Sequence, residues 1–155
     1  MKKLFITLFV VIMGVSSAYS QAHLKLGVNA GLPVGDAADV SSFQLGADLA
    51  YMFNAIPILD VGPMVGYSHF FGDDGFDDMQ FLPAAVAGRL NFPGITVGLD
   101  LGYAVGLNDG NDGGFYYRPQ LGFRFLGLGL IASYQSINVD PVNISSVNLG
   151  VEFGL

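Results

Sequence analysis

The chain contains no cysteine and no tryptophan, and only two histidines. Without cysteine there is no disulfide framework, no lipid-modified thiol, and no thiolate ligation of zinc or an iron–sulfur cluster. Charge is scarce as well: 12% of residues are Asp, Glu, Lys or Arg, where soluble domains carry roughly a quarter. Six basic residues stand against thirteen acidic ones, a net charge of −7, which excludes an electrostatic grip on nucleic acid. Beyond Val15, no unbroken apolar run reaches the roughly eighteen residues that a membrane helix needs.

What is present is apolarity, with 52% hydrophobic residues, and glycine, with 22 copies. At the start, Lys2 and Lys3 precede an apolar stretch from Leu4 to Val15 that is too short to span a bilayer. Ala18 and Ser20 fit the small-residue positions of a cleavage site, so residues 1–20 are expected to be a signal peptide absent from the mature protein, with Gln21 its first residue. Cleavage after Ala22 is the near alternative. Residues 21–155 then form one domain, with no linker or charge run to divide it.

Over that domain the apolar residues recur with a period of two, the signature of strands. The fifth such segment is the plainest: Ile95, Val97, Leu99, Leu101, Tyr103 and Val105 alternate with Thr96, Gly98, Asp100, Gly102, Ala104 and Gly106. Similar segments begin near Leu24, Phe43, Leu59, Leu82, Tyr117, Leu128 and Val147, making eight in all. Alternation is weakest in the fourth. Tight connections at residues 54–57, 93–94 and 126–127 alternate with longer ones at 33–42, 69–78, 108–114 and 137–145. The pattern predicts an all-β, eight-stranded antiparallel up-and-down transmembrane β-barrel. Pro63, Pro83 and Pro119 fall inside strands and predict bulges or local breaks.

Charge sorts with the alternation. Lys25, Arg89, Arg118 and Arg124 share the polar face with Asp48, Asp60, Asp100 and Glu152, while the other nine acids fall in the longer connections. The apolar face carries no charge, as lipid contact demands. Equal numbers of opposite charges inside predict mutual neutralisation, with Asp60–Arg89 and Lys25–Glu152 as ion pairs. A soluble lipocalin-like carrier would need the pattern turned inside out, and an exterior of glycine with so few charges would be poorly soluble.

Leading segment, eight alternating strands, acidic loops and the final strand Ser146–Leu155 (SVNLGVEFGL) together resemble the small outer-membrane barrel family of OmpA- and OmpX-type proteins. The resemblance covers all of residues 21–155 and concerns architecture. It implies residence in the bacterial outer membrane, with outer-membrane lipid and the barrel-insertion machinery as partners. The chain departs from the family's pattern of a terminal aromatic residue, since Phe153 is followed by Gly154 and Leu155.

An eight-stranded barrel has an interior that side chains can fill, which disfavours an open porin. The expectation is a structural or surface-interaction protein of the envelope that uses no cofactor and is not an enzyme. An adhesin or receptor acting through the outer loops, where Phe70, Phe71 and Phe76 stand among acids, is the alternative. Phe43, Phe115, Tyr116 and Tyr117 join those aromatics as an expected outer girdle, opposite an inner one of Tyr51, Phe53, Phe92, Phe125 and Phe153. Ser68 and His69 suggest a hydrolase dyad, but neighbours in a strand face opposite ways. In the loop NDGNDGG, Asp109, Asn111 and Asp112 are weak calcium candidates, as is the GDDGFDD run at 72–78, but neither completes an EF-hand and both suit ordinary turns.

Overall fold

The computed structural model describes residues 2–7, 22–72, 75, 77–107, 112–139 and 142–154. The expected cleavage region around Ser20 and Gln21 lies outside them. The strands are β1 (Ala22–Val34), β2 (Ser41–Ile56), β3 (Leu59–Gly72), β4 (Met79–Phe92), β5 (Ile95–Gly106), β6 (Gly114–Phe125), β7 (Leu128–Val139) and β8 (Val142–Gly154). Each pairs antiparallel with its sequence neighbours, and β1 pairs with β8, closing the barrel. Closure leaves no unpaired sheet edge, which the interior of a bilayer would not tolerate.

The period of two survives as an inside–outside division. Along β5, Ile95, Val97, Leu99, Leu101, Tyr103 and Val105 are exposed, while Thr96, Gly98, Asp100 and Ala104 are buried. The other strands follow suit: large apolar side chains cover the outside, and the lumen holds the charged side chains together with buried Met52, Met64, Phe70, Phe81, Tyr116 and Ile137. This is the reverse of a soluble barrel. The fourth strand, least regular in sequence, obeys the same rule: Ala84, Val86, Leu90 and Phe92 are exposed and Phe81, Pro83, Ala87 and Arg89 are buried.

Ladder gaps accompany the three prolines. The β2–β3 pairing lapses between Ala50↔Met64 and Phe53↔Val61 beside Pro63. The β3–β4 pairing lapses between Val65↔Ala84 and Ser68↔Phe81 beside Pro83, and the β6–β7 pairing between Tyr117↔Ser136 and Gln120↔Ser133 beside Pro119. Each proline remains paired on its other edge, to Val86, Ala104 and Leu99 respectively. A missing N–H thus breaks one ladder locally without changing its register. The actual register shifts lie elsewhere, at Ser41/Phe43 and Asn54/Ile56.

At one end the connections are two-residue turns at 57–58, 93–94 and 126–127. In the last, Leu126 (φ 51°) and Gly127 (φ 81°) both take left-handed backbone, as a type I′ hairpin turn requires. Leucine is ill suited there, and its side chain is 90% exposed. Leu126→Asn is expected to raise stability by about 1 kcal/mol, read as a higher urea midpoint of the folded band on gels.

At the other end, the connections are shorter than the sequence suggests. Strand pairing continues through Ser136↔Ser145 to Val139↔Val142, so most of the stretch 137–145 is strand rather than loop. A short 3-10 segment, Gly35–Asp39, joins β1 to β2 and packs on β8, with Ala37 fully buried.

Candidate functional site in the barrel lumen

The lumen has three storeys. At the outer end, Phe70 of β3, Phe81 of β4, Ala104 of β5, Tyr116 of β6, Ile137 of β7 and Ile144 of β8 lie near the strand ends, buried, and form an apolar seal with Ala37. Phe70 and Phe81 meet edge to face at 5.8 Å. Phe70 and Tyr116 therefore belong to the interior and not to the outer aromatic girdle expected for them. The period of two explains why: Phe70 is two residues from lumen-facing Ser68, and Tyr116 two from Arg118. Outside the barrel, Phe43, Phe71, Phe115, Tyr117 and Tyr134 do line the outer rim in neighbouring ring contacts.

The middle storey is a chain of ion pairs. Asp100 accepts from Arg89 Nη1 at 2.6 Å through one oxygen, and from Arg118 Nε at 2.9 Å and Nη2 at 2.8 Å through the other. Arg118 Nη1 continues to Asp48 at 3.0 Å. Two guanidinium groups and two carboxylates, all buried, thus balance in sign, and the forked Arg118–Asp100 contact is the geometry that favours arginine over lysine. Gln120 brings its side-chain amide to 3.0 Å from Arg89 Nε, and the orientation that satisfies both groups sets its oxygen toward the guanidinium as acceptor. Gly98 makes the crossing possible: a Cβ there would lie 2.7 Å from Arg89 Cδ and 2.8 Å from Gln120 Cγ.

Consequently the expected Asp60–Arg89 pair does not form. The two residues are Cα partners across β3 and β4, but the arginine extends over Gly98 to the next strand. Asp60 instead accepts from Asn54 and Asn91, each at 2.9 Å, with His23 Nε2 at 3.6 Å. The expected Lys25–Glu152 pair is present at 3.5 Å across the β1–β8 seam. Arg124 stands apart from the network, exposed at the inner end.

The inner storey is open. A cavity of about 760 Å³ is bounded by Lys25, Asp60, Arg124 and Glu152 within and by Phe92, Phe125 and Leu126 at the rim. A second, small cavity of about 20 Å³, room for a water molecule, lies between Asn29, Asp48, Arg118 and Glu152.

Ser68 and His69 face opposite sides and cannot act together. Ser68 is bonded to Gln135 inside, whereas His69 lies at the outer rim between Tyr67 Oη, 2.9 Å from Nδ1, and Asp78 Oδ2, 2.8 Å from Nε2. A neutral ring with Nε2–H donating to Asp78 and Nδ1 accepting from Tyr67 satisfies both bonds. Asp78 also accepts from the Gly72 N–H at 2.7 Å. That backbone bond first, and His69 second, hold its carboxyl below the ordinary value of 3.8. Because the folded pKa is depressed, this tie is complete above the ordinary value and is lost as pH falls through the depressed one. A carboxyl NMR titration should place the Asp78 midpoint below 3.8, with Gly72 amide exchange rising in the same window.

Of the loop calcium candidates, Asp109 and Asn111 lie outside the described residues. Asp112 is exposed, and its carbonyl accepts from Tyr103 Oη at 3.1 Å. No cluster of three metal-ligating side chains occurs among the described residues.

With this geometry in view, solved structures offer close likenesses of shape. The chain has the fold of a small outer-membrane barrel. The crystal structure of Ail, the attachment invasion locus protein of Yersinia pestis, superposes with a TM-score of 0.60 at 15% identity, covering 86% of this chain and 97% of that one. The N-terminal barrel of Pseudomonas aeruginosa OprF gives 0.57 at 12% identity, covering 87% and 98%. A de novo designed transmembrane β-barrel gives 0.59 at 13%, covering 86% and 95%. No protein-family profile matches the sequence, and no curated protein matches it.

Proposed function

We propose that this protein is a structural, surface-exposed barrel of the bacterial outer membrane with a charge-neutralised interior, and not an open porin. The observation that carries this reading is the closed lumen: an apolar seal at the outer end above the chain Arg89–Asp100–Arg118–Asp48. Uncharged apolar side chains around the outside are what lipid requires. The leading segment, with its basic start and short apolar core, suits export by a cleavable signal. The test is solute retention by lipid vesicles carrying the refolded barrel. Vesicles should hold a sugar-sized solute as well as lipid alone does; rapid efflux would show an open pore instead.

A second reading, contact with a partner through the outer loops, is favoured by the exposed acids Asp36, Asp39, Asp77, Asp78 and Asp112. It also has a precedent of shape in Ail, whose structure was determined in complex with the heparin analogue sucrose octasulfate. Acidic loops would repel such a polyanion, so a cationic partner, or divalent cations bridging anionic lipid headgroups, fits this chain better. Phe70 contributes nothing to such a patch, because it is inside the barrel. Phe76 lies outside the described residues.

A further inference from the structure

We propose that the open inner mouth of the barrel is a binding site for a phosphate-bearing group, anchored by Arg124. Among the described residues, the inner end of the lumen opens into a cavity, whereas the outer end is filled by buried apolar side chains. The apolar seal stops passage outward, so a molecule entering the 760 Å³ cavity at the short-turn end can be held there and not conducted. That volume lies in the range of small-molecule sites.

Charge accounting singles out one residue. Lys25, Arg89 and Arg118 each have a carboxylate oxygen within 3.5 Å, whereas Arg124 forms no ion pair among the described residues and is exposed. The two acids of the mouth are already engaged: Glu152 by Lys25, and Asp60 by Asn54, Asn91 and His23. Glu152 stands two strands from Arg124 across Gly129, which pairs with both. The backbone at Arg124 is held, since its N–H donates to Gly94 O at 3.0 Å, and the residue lines the cavity. A planar fork of this kind matches two phosphate oxygens at once.

Phosphate is favoured by position. Phe123 and Phe125, the outward neighbours of Arg124 on β6, are exposed on the lipid side, and inward-end aromatics mark the level of the headgroups. Phe125 and Leu126 are the most exposed large apolar side chains of that rim, at 76% and 90%. They form an apolar lip over which a lipid headgroup can bend inward. A phospholipid headgroup and a free phosphate monoester share this chemistry.

Backbone amide NMR of the barrel in alkyl maltoside micelles, which carry no phosphate, tests the site. One arm adds glycerol 3-phosphate and the other adds phosphatidylglycerol to the micelles. Saturable shifts confined to Gly94, Arg124–Gly127 and Gly129 are expected in at least one arm. A response to glycerol 3-phosphate identifies a free phosphate site, and a response to the lipid alone identifies a headgroup site. Arg124→Gln should weaken binding about tenfold or more, while Glu152→Gln, by removing a nearby negative charge, should tighten it. Absence of saturable shifts in both arms, or unchanged affinity in a folded Arg124→Gln barrel, would overturn the proposal.

Discussion

Asp100→Ala is expected to destabilise the barrel by about 3–5 kcal/mol, the typical consequence of stripping one partner from a buried ion pair. Asp100 is fully buried and is the only carboxylate among the described residues that serves two arginines. Its removal leaves Arg89 with only Gly88 O and Gln120 as acceptors, inside a lumen where a lone cation is poorly solvated. Asp48→Asn should cost much less, because Arg118 keeps its forked contact with Asp100. The check is the urea midpoint of the fast-migrating folded band in micelles, compared across both variants and the parent. Equal, small effects from the two would mean that water or rearranged side chains compensate the arginines, and that the chain of charges is not a unit.

Leu101→Arg is expected to cost about 2–4 kcal/mol, the penalty for a cation near the midplane on the lipid face of a membrane barrel. Leu101 sits mid-strand on β5, between outward-facing Val86 and Tyr117 on its neighbours, and is 45% exposed. On a soluble protein, an exposed Leu→Arg change is ordinarily worth within half a kcal/mol either way. The same substitution thus discriminates lipid from water around the barrel. Folding yield and urea midpoint in lipid vesicles measure it, and a neutral outcome would remove lipid from the outer face.

Much of the fold could be read from residue order because a membrane barrel imposes one rule on every strand. Lipid outside and polar side chains inside turn alternation directly into direction, so Lys25, Asp48, Arg89, Asp100 and Arg118 were assignable to the lumen residue by residue. The same rule hid the outer ends. Buried Ser136, Ser145 and Ser146 give β7 and β8 the composition of a loop, although Ser136 and Ser145 are strand partners bonded to one another at 2.9 Å. Phe70 and Tyr116 were misplaced by their aromatic character, which suits a girdle as well as a plug; only their parity along the strand decides.

Partner choice within the lumen was less accessible. A Cα pairing such as Asp60↔Arg89 brings two residues side by side but leaves a long arginine free to reach past its neighbour. What directs it is an empty position, Gly98, and the competing amides of Asn54 and Asn91 around Asp60. Such details depend on three-dimensional space that a period of two does not encode. The open inner mouth was invisible for a related reason: it is defined by where side chains stop filling the barrel.

The central claim is that the apolar face meets lipid, and the absence of tryptophan makes one measurement of it unusually clean. Leu101→Trp introduces a single tryptophan on the outer face, to be read in vesicles whose lipids are brominated along the acyl chains. A blue-shifted emission that brominated chains quench strongly is expected, while a tryptophan at lumen-facing Ala85 is quenched far less. A red-shifted emission at position 101 indifferent to bromine, or stronger quenching at 85, would contradict it.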